Sequence, residues 1–479
     1  MGKRLTAFLL VLILLLSCLQ TGEAEIYKRL RKGSRGEAVK QLQAELKKKG
    51  YYPGETDGIF GNATLRAVKA FQRDNGLKAD GIAGPRTLDK LFAGRGRKET
   101  TEGVVSADDG IDAASEDLNT GKTEQAVHAD VISFLESVAN QSGAACGSLV
   151  LSKNGKVFLK WSFGGVDENT CFRIASITKW VTAIGLMTLY DQGKLELDKD
   201  ISTYLGFKVR NPAFPDVPVT ARMLLTHTSS LSSDATNYHP DWARIGKKGY
   251  DPVFNEDVKP GTKYEYADYN GALFGCLIEA IAKQSVQNYL NEKVFRPLGL
   301  TAAYSPKFLP AGTATKDLLD PNGKAAITVQ KDMKRAYNNK PDPKGNNGYT
   351  VGKLYINTDS LTRLAQMMYF GGELNGVRIL KTETVRLMES DQPFVAESRY
   401  GLSTVRMKQF DRGTWYGHQG RYSGLSSNVY YQRETGITIA LVMDGYDYQL
   451  EDNVVLPAVS LLKNMEKIET MCLQSEKVN

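Results

Sequence analysis

The sequence predicts a multidomain chain: a small all-α domain of three helices, then a larger α/β (α+β) domain whose central antiparallel sheet is flanked by helices. Two observations predict it. An internal repeat, DGIFGNATL from Asp57 and DGIAGPRTL from Asp80, is interleaved with helical apolar periodicity. Further on, two hairpin signals, Asn154-Gly155 and Glu434-Thr435-Gly436, stand at opposite ends of a stretch rich in helical patterns. A chain of 479 residues has room for two or three units with cores of their own.

The start of the chain reads as a signal, not as fold. Lys3 and Arg4 precede the run LTAFLLVLILLLSCL, and small residues follow at Gly22 and Ala24. That is the pattern of a secretory signal over residues 1–24, cut after Ala24. The run is short for a membrane span. Lipid attachment at Cys18 is a minor alternative that the LLSC context fits imperfectly. No later stretch is apolar enough to cross a bilayer, so the mature chain is expected outside the membrane. A hydrophobic content of 42% is ordinary for a globular protein, and a net charge of +7 does not by itself point to nucleic acid. Cys146, Cys171, Cys276 and Cys472 make neither a disulfide scaffold nor a zinc pattern. Cys276 lies in an apolar helical stretch and reads as a buried thiol. Whether Cys146 and Cys171 pair stays open. No cofactor or metal is expected.

The first domain is placed at residues 28–93. Val39, Leu42 and Leu46 share one helical face, and Leu65, Val68 and Phe71 share another. Each repeat supplies an Asp-Gly turn and a threonine able to cap the adjacent helix. The order of motifs (G-S-R-G-E-A-V-K-Q-L-Q, D-G-I-F-G-N-A-T, F-Q, D-G-I-A-G) resembles the peptidoglycan-binding domain often joined to cell-wall enzymes. The resemblance implies binding to cell-wall glycopeptide. Residues 26–97 carry a net charge of about +10, which suits an anionic polymer. A helical module with a solvated basic face and no carbohydrate role is the alternative. Residues 94–123 then turn acidic and polar without apolar periodicity, as a flexible tether does.

The second domain is placed at residues 124–470. A helix is expected through EQAVHADVISFLESVANQ, a hairpin through SLVLSKNGKVFLKWSFG, a second hairpin through SSNVYYQRETGITIALVMDG and a closing helix through NVVLPAVSLLKNMEKI. The two hairpins would build one sheet from both ends of the domain. Between them, RIASITKW places Ser176 at the start of a helix, with Lys179 on the same face. A serine hydroxyl attacks carbonyls only when a base removes its proton. Lysine is such a base only if burial or a nearby cation lowers its pKa, and Ile174, Ala175, Ile177, Trp180 and Val181 are expected to bury it. Spacing alone is weak: Ser460 and Lys463 repeat it in the closing helix.

Context comes from MLLTHTSSL (223–231), PGTKYEYADYNG (260–271), YGLS (400–403) and YGHQGRYSG (416–424). With S-x-x-K these resemble, over about residues 128–465, the serine β-lactamase and penicillin-binding-protein superfamily, in its class C and D-alanyl-D-alanine carboxypeptidase branch. The resemblance implies that Ser176 is acylated, Lys179 is its proton partner, and Tyr266 shuttles a proton to the leaving group and later activates water. It puts His418 near the substrate carboxylate, where relatives have lysine. The H-Q-G stretch, Gln419, Gly420 and Arg421, would border the substrate, with the backbone N–H groups of Ser176 and Arg421 forming an oxyanion hole. Asp268 stands where the branch has asparagine, and a carboxylate cannot donate to a substrate carbonyl as an amide does. Ser230 replaces a usual glycine. Tyr355, in YIN, reads as a packed strand tyrosine, and His227 as a structural hydrogen-bonding residue. His128 and His239 read as surface residues. Tyr238, Trp242, Tyr250 and Phe254 are candidates for substrate side-chain recognition on loops over the cleft.

The function implied is a secreted, wall-associated serine hydrolase working through an acyl-enzyme, foremost a DD-peptidase of the D-alanyl-D-alanine carboxypeptidase type. The alternatives are an esterase or weak β-lactamase on the same scaffold, or a non-catalytic peptidoglycan-binding or sensing protein. Peptidoglycan stem peptides are the expected partners and β-lactams possible ligands, with no nucleic acid and no membrane span after signal cleavage.

Overall fold

A computed structural model describes residues 30–92 and 124–473, apart from residues 33, 35, 53, 78, 80, 84, 233–252, 335–336, 338, 344–347, 393–398, 411 and 452–453. The expected signal, Cys18 and the acidic tether lie outside the described residues, as do Tyr238, His239, Trp242 and Tyr250. The chain divides into two units, residues 1–117 and 118–479.

The first unit contains α1 (Glu37–Lys48), α2 (Asn62–Asp74) and α3 (Pro85–Phe92). Val39, Leu42, Leu46, Val68, Phe71, Leu88 and Leu91 meet in one core. The repeat has a physical basis in two buried glutamines. Gln43 Nε2 donates to Asp57 Oδ1 (2.8 Å), Ile59 O (3.1 Å) and Thr64 Oγ1 (3.1 Å), while its Oε1 accepts from the Gly58 N–H (2.9 Å). Gln72 treats the second repeat the same way: Nε2 donates to Ile82 O (3.0 Å) and Thr87 Oγ1 (3.1 Å), and Oε1 accepts from the Gly81 N–H (2.8 Å). Gly58 and Gly81 adopt φ of 74° and 79°, a region that strains any residue with a Cβ. The expected threonine caps are corrected here. The N-cap of α2 is Gly61, with no side-chain capping bond, and Thr64 sits inside the first turn with its hydroxyl held by Gln43.

The main elements of the second unit are α4 (Glu124–Ser142), β1 (Cys146–Lys153), β2 (Lys156–Phe163), β3 (Phe172–Arg173), α5 (Ile177–Asp191), α6 (Ala221–Leu225), α7 (Asp268–Ala282), β4 (Ala302–Ala303), β5 (Tyr355–Ile356), α8 (Thr358–Tyr369), β6 (Val405–Met407), β7 (Trp415–Tyr422), β8 (Leu425–Gln432), β9 (Ile437–Asp444), α9 (Leu456–Lys463) and α10 (Met465–Leu473). Six strands form one antiparallel sheet in the order β6-β7-β8-β9-β1-β2. The two hairpins therefore meet in the middle, with Cys146 opposite Asp444 and Lys153 opposite Ile437. Asn154 and Gly155 both take positive φ, 47° and 83°, as a tight two-residue turn between twisted strands requires.

Strand alternation splits the sheet between two cores. Val429, Tyr431, Ala440 and Val442 face α5, α7 and α8. Tyr430, Ile439, Leu441 and Met443 face α4, α9 and α10. Because both faces are covered, β8 and β9 are buried along their whole length, and β9 reads as an almost unbroken apolar run. Helix α5 is buried on every side from Ile177 to Leu189, which explains its lack of a polar face. The closing helix is two helices. At Asn464 the side-chain Nδ2 donates to Ser460 O at 2.9 Å and competes with the helical ladder.

All four cysteines from Cys146 onward are buried and free, so Cys146 and Cys171 are not paired. Burial pushes their thiols up, to about 11 and about 12. Tyr355 is buried and donates to Asp332 Oδ2 at 2.9 Å, a structural role. Phe254 belongs to the core and pairs with Leu231, which removes it from the candidates for substrate recognition. No described helix is long and apolar enough to cross a membrane.

Replacing Gln43 by Ala should lower the stability of the first unit by about 1–3 kcal/mol, because the buried Gly58 N–H loses its partner. Faster amide exchange in α1 and α2 checks this. All four tryptophans lie in the second unit, so the fluorescence unfolding transition should stay in place.

Candidate active site

Ser176 stands where β3 gives way to α5. Ala175 before it adopts φ of 46°, an uncommon conformation for a residue with a Cβ and one that concentrates at functional turns. That turn leaves Ser176 as the N-cap of α5, partly exposed. One helical turn on, Lys179 has a side chain 0% exposed. Its Nζ donates to Ser176 Oγ (3.0 Å), Val351 O (2.8 Å) and Asp268 Oδ1 (2.7 Å). An ammonium has three N–H bonds, and these three acceptors meet it, with Tyr266 as a further side-chain hydrogen-bond partner. Gly271 of α7 makes room: a Cβ there would lie 2.6 Å from Lys179 Cγ.

This geometry corrects the expectation that the surroundings strip Lys179 of its charge. Burial alone would lower its pKa, but the Tyr266 and Asp268 side chains outweigh burial and hold it above the ordinary lysine value. Tyr266 is the larger of the two influences, and the departure at position 268 adds to it. A carboxylate 2.7 Å away stabilises the ammonium in a way that an amide does not.

Tyr266 lies just ahead of α7, half-buried, with Lys179 Nζ 5.5 Å from its ring centroid. The His227 ring stacks on it at 4.3 Å and 25°. His227 Nδ1 accepts from the Ala267 N–H (3.2 Å) and from Asn270 Nδ2 (3.0 Å). Burial lowers its pKa well below the usual value, so it is a neutral support beneath the Tyr-Ala-Asp turn. Ser230 keeps the turn that a glycine would favour, at φ of 61°. Asp268 is the first residue of α7, with a side chain 43% exposed.

The third motif also departs from expectation. His418 on β7 is 2% exposed. Its Nδ1 meets Gln419 O at 2.7 Å and must donate there, so Nε2 accepts from the Tyr400 hydroxyl, also at 2.7 Å. Burial, above all, drops its pKa to about 3. His418 is therefore neutral with both nitrogens engaged, and cannot serve as the cation beside a substrate carboxylate. Alternation sends the Gln419 and Arg421 side chains to the opposite face of β7 from His418 and Gly420. Gly420 is pressed against the nucleophile: a Cβ there would lie 2.2 Å from Ile174 O and 2.9 Å from Ser176 N. Ser427 Oγ of β8 donates to Ile174 O at 2.7 Å, fastening the sheet to the turn. Tyr422 and Leu425 close a two-residue turn, which puts Arg421 at a non-hydrogen-bonded position of the ladder. Its N–H then points to the edge of β7 that β6, paired only at residues 415–417, leaves open.

Ser176, Lys179, Tyr266 and Asp268 thus come together, with β7 alongside at Gly420. Sequence reasoning missed Val351, Gly271, Tyr400 and Ser427. Tyr400 opens YGLS and Gly271 follows the Tyr-Ala-Asp motif, so both had a local signal; Val351 acts through its carbonyl and had none. The Ser460–Lys463 pair has no such setting, since Lys463 pairs with Glu451. A surface hollow of about 920 Å³, lined by Asp191, Glu196, Asp198 and Arg222 among others, contains none of the site residues.

Comparison with known proteins places the two units in families. Residues 111–456 match the family described as "Beta-lactamase", and residues 35–91 match the "Putative peptidoglycan binding domain". "Protein flp" of Staphylococcus aureus (strain N315) is 29% identical over 166 residues, covering 32% of this chain and 33% of that protein. An Escherichia coli (strain K12) protein named "Putative D-alanyl-D-alanine carboxypeptidase" is 27% identical over 274 residues, 49% of this chain and 58% of its own length. The chain thus spans about a third of the first of these relatives and just over half of the second. The octameric penicillin-binding protein homologue from Pyrococcus abyssi shares the fold, with a TM-score of 0.56, 20% identity, and coverage of 71% of this chain and 77% of that one.

Two outcomes follow from the geometry. Gly271→Ala should push Lys179 out of line and slow modification of Ser176 by an active-site acylating reagent roughly 100-fold, with the tryptophan unfolding transition preserved. If acylation needs Lys179 without its proton, the raised pKa makes the rate climb with pH on the alkaline side. Asp268→Asn should then move that rising limb to lower pH, as stopped-flow acylation across pH would show.

Proposed function

The chain belongs to the beta-lactamase family of the serine hydrolase superfamily and carries a peptidoglycan-binding domain, and on that premise we propose that it is an exported, wall-directed hydrolase forming an acyl-enzyme at Ser176. The observation that carries the proposal is the contact of Ser176 Oγ with Lys179 Nζ at 3.0 Å beside the bare backbone of Gly420. Lys179 first yields its proton to water. It then takes the Ser176 proton as Oγ attacks the substrate carbonyl. The N–H groups of Ser176 and Arg421 receive the oxyanion. Tyr266 protonates the leaving group and afterwards helps a water to attack the ester. The N-terminal module would hold this chemistry at the wall, with the acidic stretch as a tether that raises the local concentration of stem peptides.

For the substrate, the foremost reading is a D-alanyl stem peptide cut as a DD-carboxypeptidase cuts it. The wall module and the name of the Escherichia coli relative support it. A second reading, an esterase or amidase with no need for a terminal carboxylate, is favoured by one observation. His418 is neutral, so the residue standing where relatives have lysine offers such a carboxylate no positive charge.

Intact mass after mixing with a labelled penicillin, and separately with D-Ala-D-Ala peptides, tests the acyl-enzyme. The wild-type chain should gain the acyl mass and Ser176→Ala should not. Lys179→Ala and Tyr266→Phe should each slow acylation at least about 100-fold. Near-normal rates in either would remove that residue from the mechanism. Slow release of the penicillin adduct fits a peptidase, and fast release fits a β-lactamase.

A further inference from the structure

We infer that Arg173 is a positioning residue for the proton transfer at Ser176: through the carbonyl of Gly352 it holds the neighbouring Val351 carbonyl against Lys179. This rests on the acyl-enzyme at Ser176. The single helical turn Tyr349–Gly352 is bonded to both cations. The last carbonyls of a helix have no partner inside it, and lysine or arginine side chains can take them. Here two successive carbonyls are taken in this way. Val351 O accepts from Lys179 Nζ at 2.8 Å, and Gly352 O accepts from Arg173 Nε at 3.0 Å. The residue between these two carbonyls is a glycine, which has the most backbone freedom. Thr350 Oγ1 ties the near side of the turn to Gly271 O at 2.7 Å, and Arg173 ties the far side.

Arg173 is itself firmly placed. It belongs to β3, opposite Tyr355 of β5. Its Nη1 donates to Asp332 Oδ2 at 3.3 Å, and the Tyr355 hydroxyl donates to the same oxygen at 2.9 Å. The guanidinium carbon lies 5.5 Å from the centre of the Tyr422 ring. The side chains of Arg173 and Asp332 are only 9% and 6% exposed, so the planar fork has little latitude. Asp332 from the short helix Val329–Lys334, Tyr355 from β5 and Tyr422 from β7 thus face Arg173, with Asp317 acting on Tyr355 and Lys353 turned to the Tyr349 ring. Tyr266, Asp268, His227 and His418 face Lys179, and Tyr264, Tyr400 and Arg421 act on these neighbours. Because Asp332 balances the charge of Arg173, the influence that reaches Lys179 is the placing of a carbonyl. An ammonium that loses an acceptor gives up its proton at lower pH. The amine so formed is also aimed less well at Ser176 Oγ. Proton balance is unchanged: Lys179 gives one proton to water and receives the one from Ser176.

Two variants of the full chain separate the carbonyl contact from the charge. In Arg173→Lys the new nitrogen stands where arginine has its guanidinium carbon, beside Asp332 but away from Gly352 O. In Arg173→Gln combined with Asp332→Asn, an amide nitrogen stands where Nε was and both charges are gone. Labelling of Ser176 by a fluorophosphonate is followed across pH, and Lys179 is titrated by 13C NMR. In Arg173→Lys the rising limb of the labelling rate and the Lys179 titration should both move to lower pH by about one unit. The alkaline plateau should fall roughly tenfold. The Arg173→Gln, Asp332→Asn chain should keep both midpoints close to those of the wild type. If Arg173→Lys loses the tryptophan unfolding transition, Arg173→Met with Asp332→Asn takes its place and should show the same displacement. A slower variant whose midpoints coincide with the wild type has a structural defect only and overturns the inference, as does an equal displacement in the Arg173→Gln, Asp332→Asn chain. Labelling of the wild-type chain with unmoved midpoints in the variants defeats this inference alone, whereas no labelling of the wild type defeats the acyl-enzyme and this inference with it.

Discussion

A single buried ammonium organises the cleft. Lys179 joins the start of α5 to the start of α7 and to the carbonyl of Val351, three pieces of chain far apart in sequence. A cation this deep is tolerated only where acceptors surround it, because an unpaired buried charge costs several kcal/mol. The neighbouring structure supplies them with little slack. Ala175 takes a strained turn to present Ser176. Gly271 gives up a side chain so that the lysine can lie against α7. Arg173 Nε donates to Gly352 O at 3.0 Å and fixes the segment that carries Val351. Thr350 Oγ1 donates to Gly271 O at 2.7 Å, tying that segment to α7.

The two histidines near the lysine follow from the same economy of charge. A second or third cation in so small a volume would repel the first, and burial penalises every charge that has no partner. His227 and His418 therefore act through neutral rings. His227 is stacked under Tyr266, and His418 is locked between Tyr400 and its neighbour's carbonyl. Against this background the exchange of an amide for a carboxylate at position 268 has a large effect. Together with Tyr266, it holds the proton on the lysine at rest.

Much of the architecture was legible because periodicity carries it. The two hairpins, the helix starting at Ser176 and the repeat of the first unit all show in the spacing of apolar residues and in glycine turns. The partners of that repeat were less visible, since Gln43 and Gln72 look like ordinary polar helix residues and act only through buried bonds. At the site, the residue types of Ser176, Lys179 and Tyr266 pointed to one another through motif spacing. Their electrostatics did not follow from it. Burial around Lys179 was readable in its apolar neighbours, but the distance of Asp268 from its nitrogen is a tertiary fact. His418 looked like a substitute for lysine in the sequence; only the partners of its two nitrogens show that it carries no charge. Backbone groups such as the Val351 carbonyl leave no mark in a sequence at all.

The account stands on the charge of Lys179, and that charge can be observed directly. A chain carrying 13C at lysine Cε, with the Lys179 signal assigned by its loss in a Lys179→Arg variant, can be titrated by NMR without substrate. The account predicts that Lys179 remains an ammonium through neutral pH and titrates above the ordinary lysine range. A Lys179 signal already that of a neutral amine at pH 7 would contradict it.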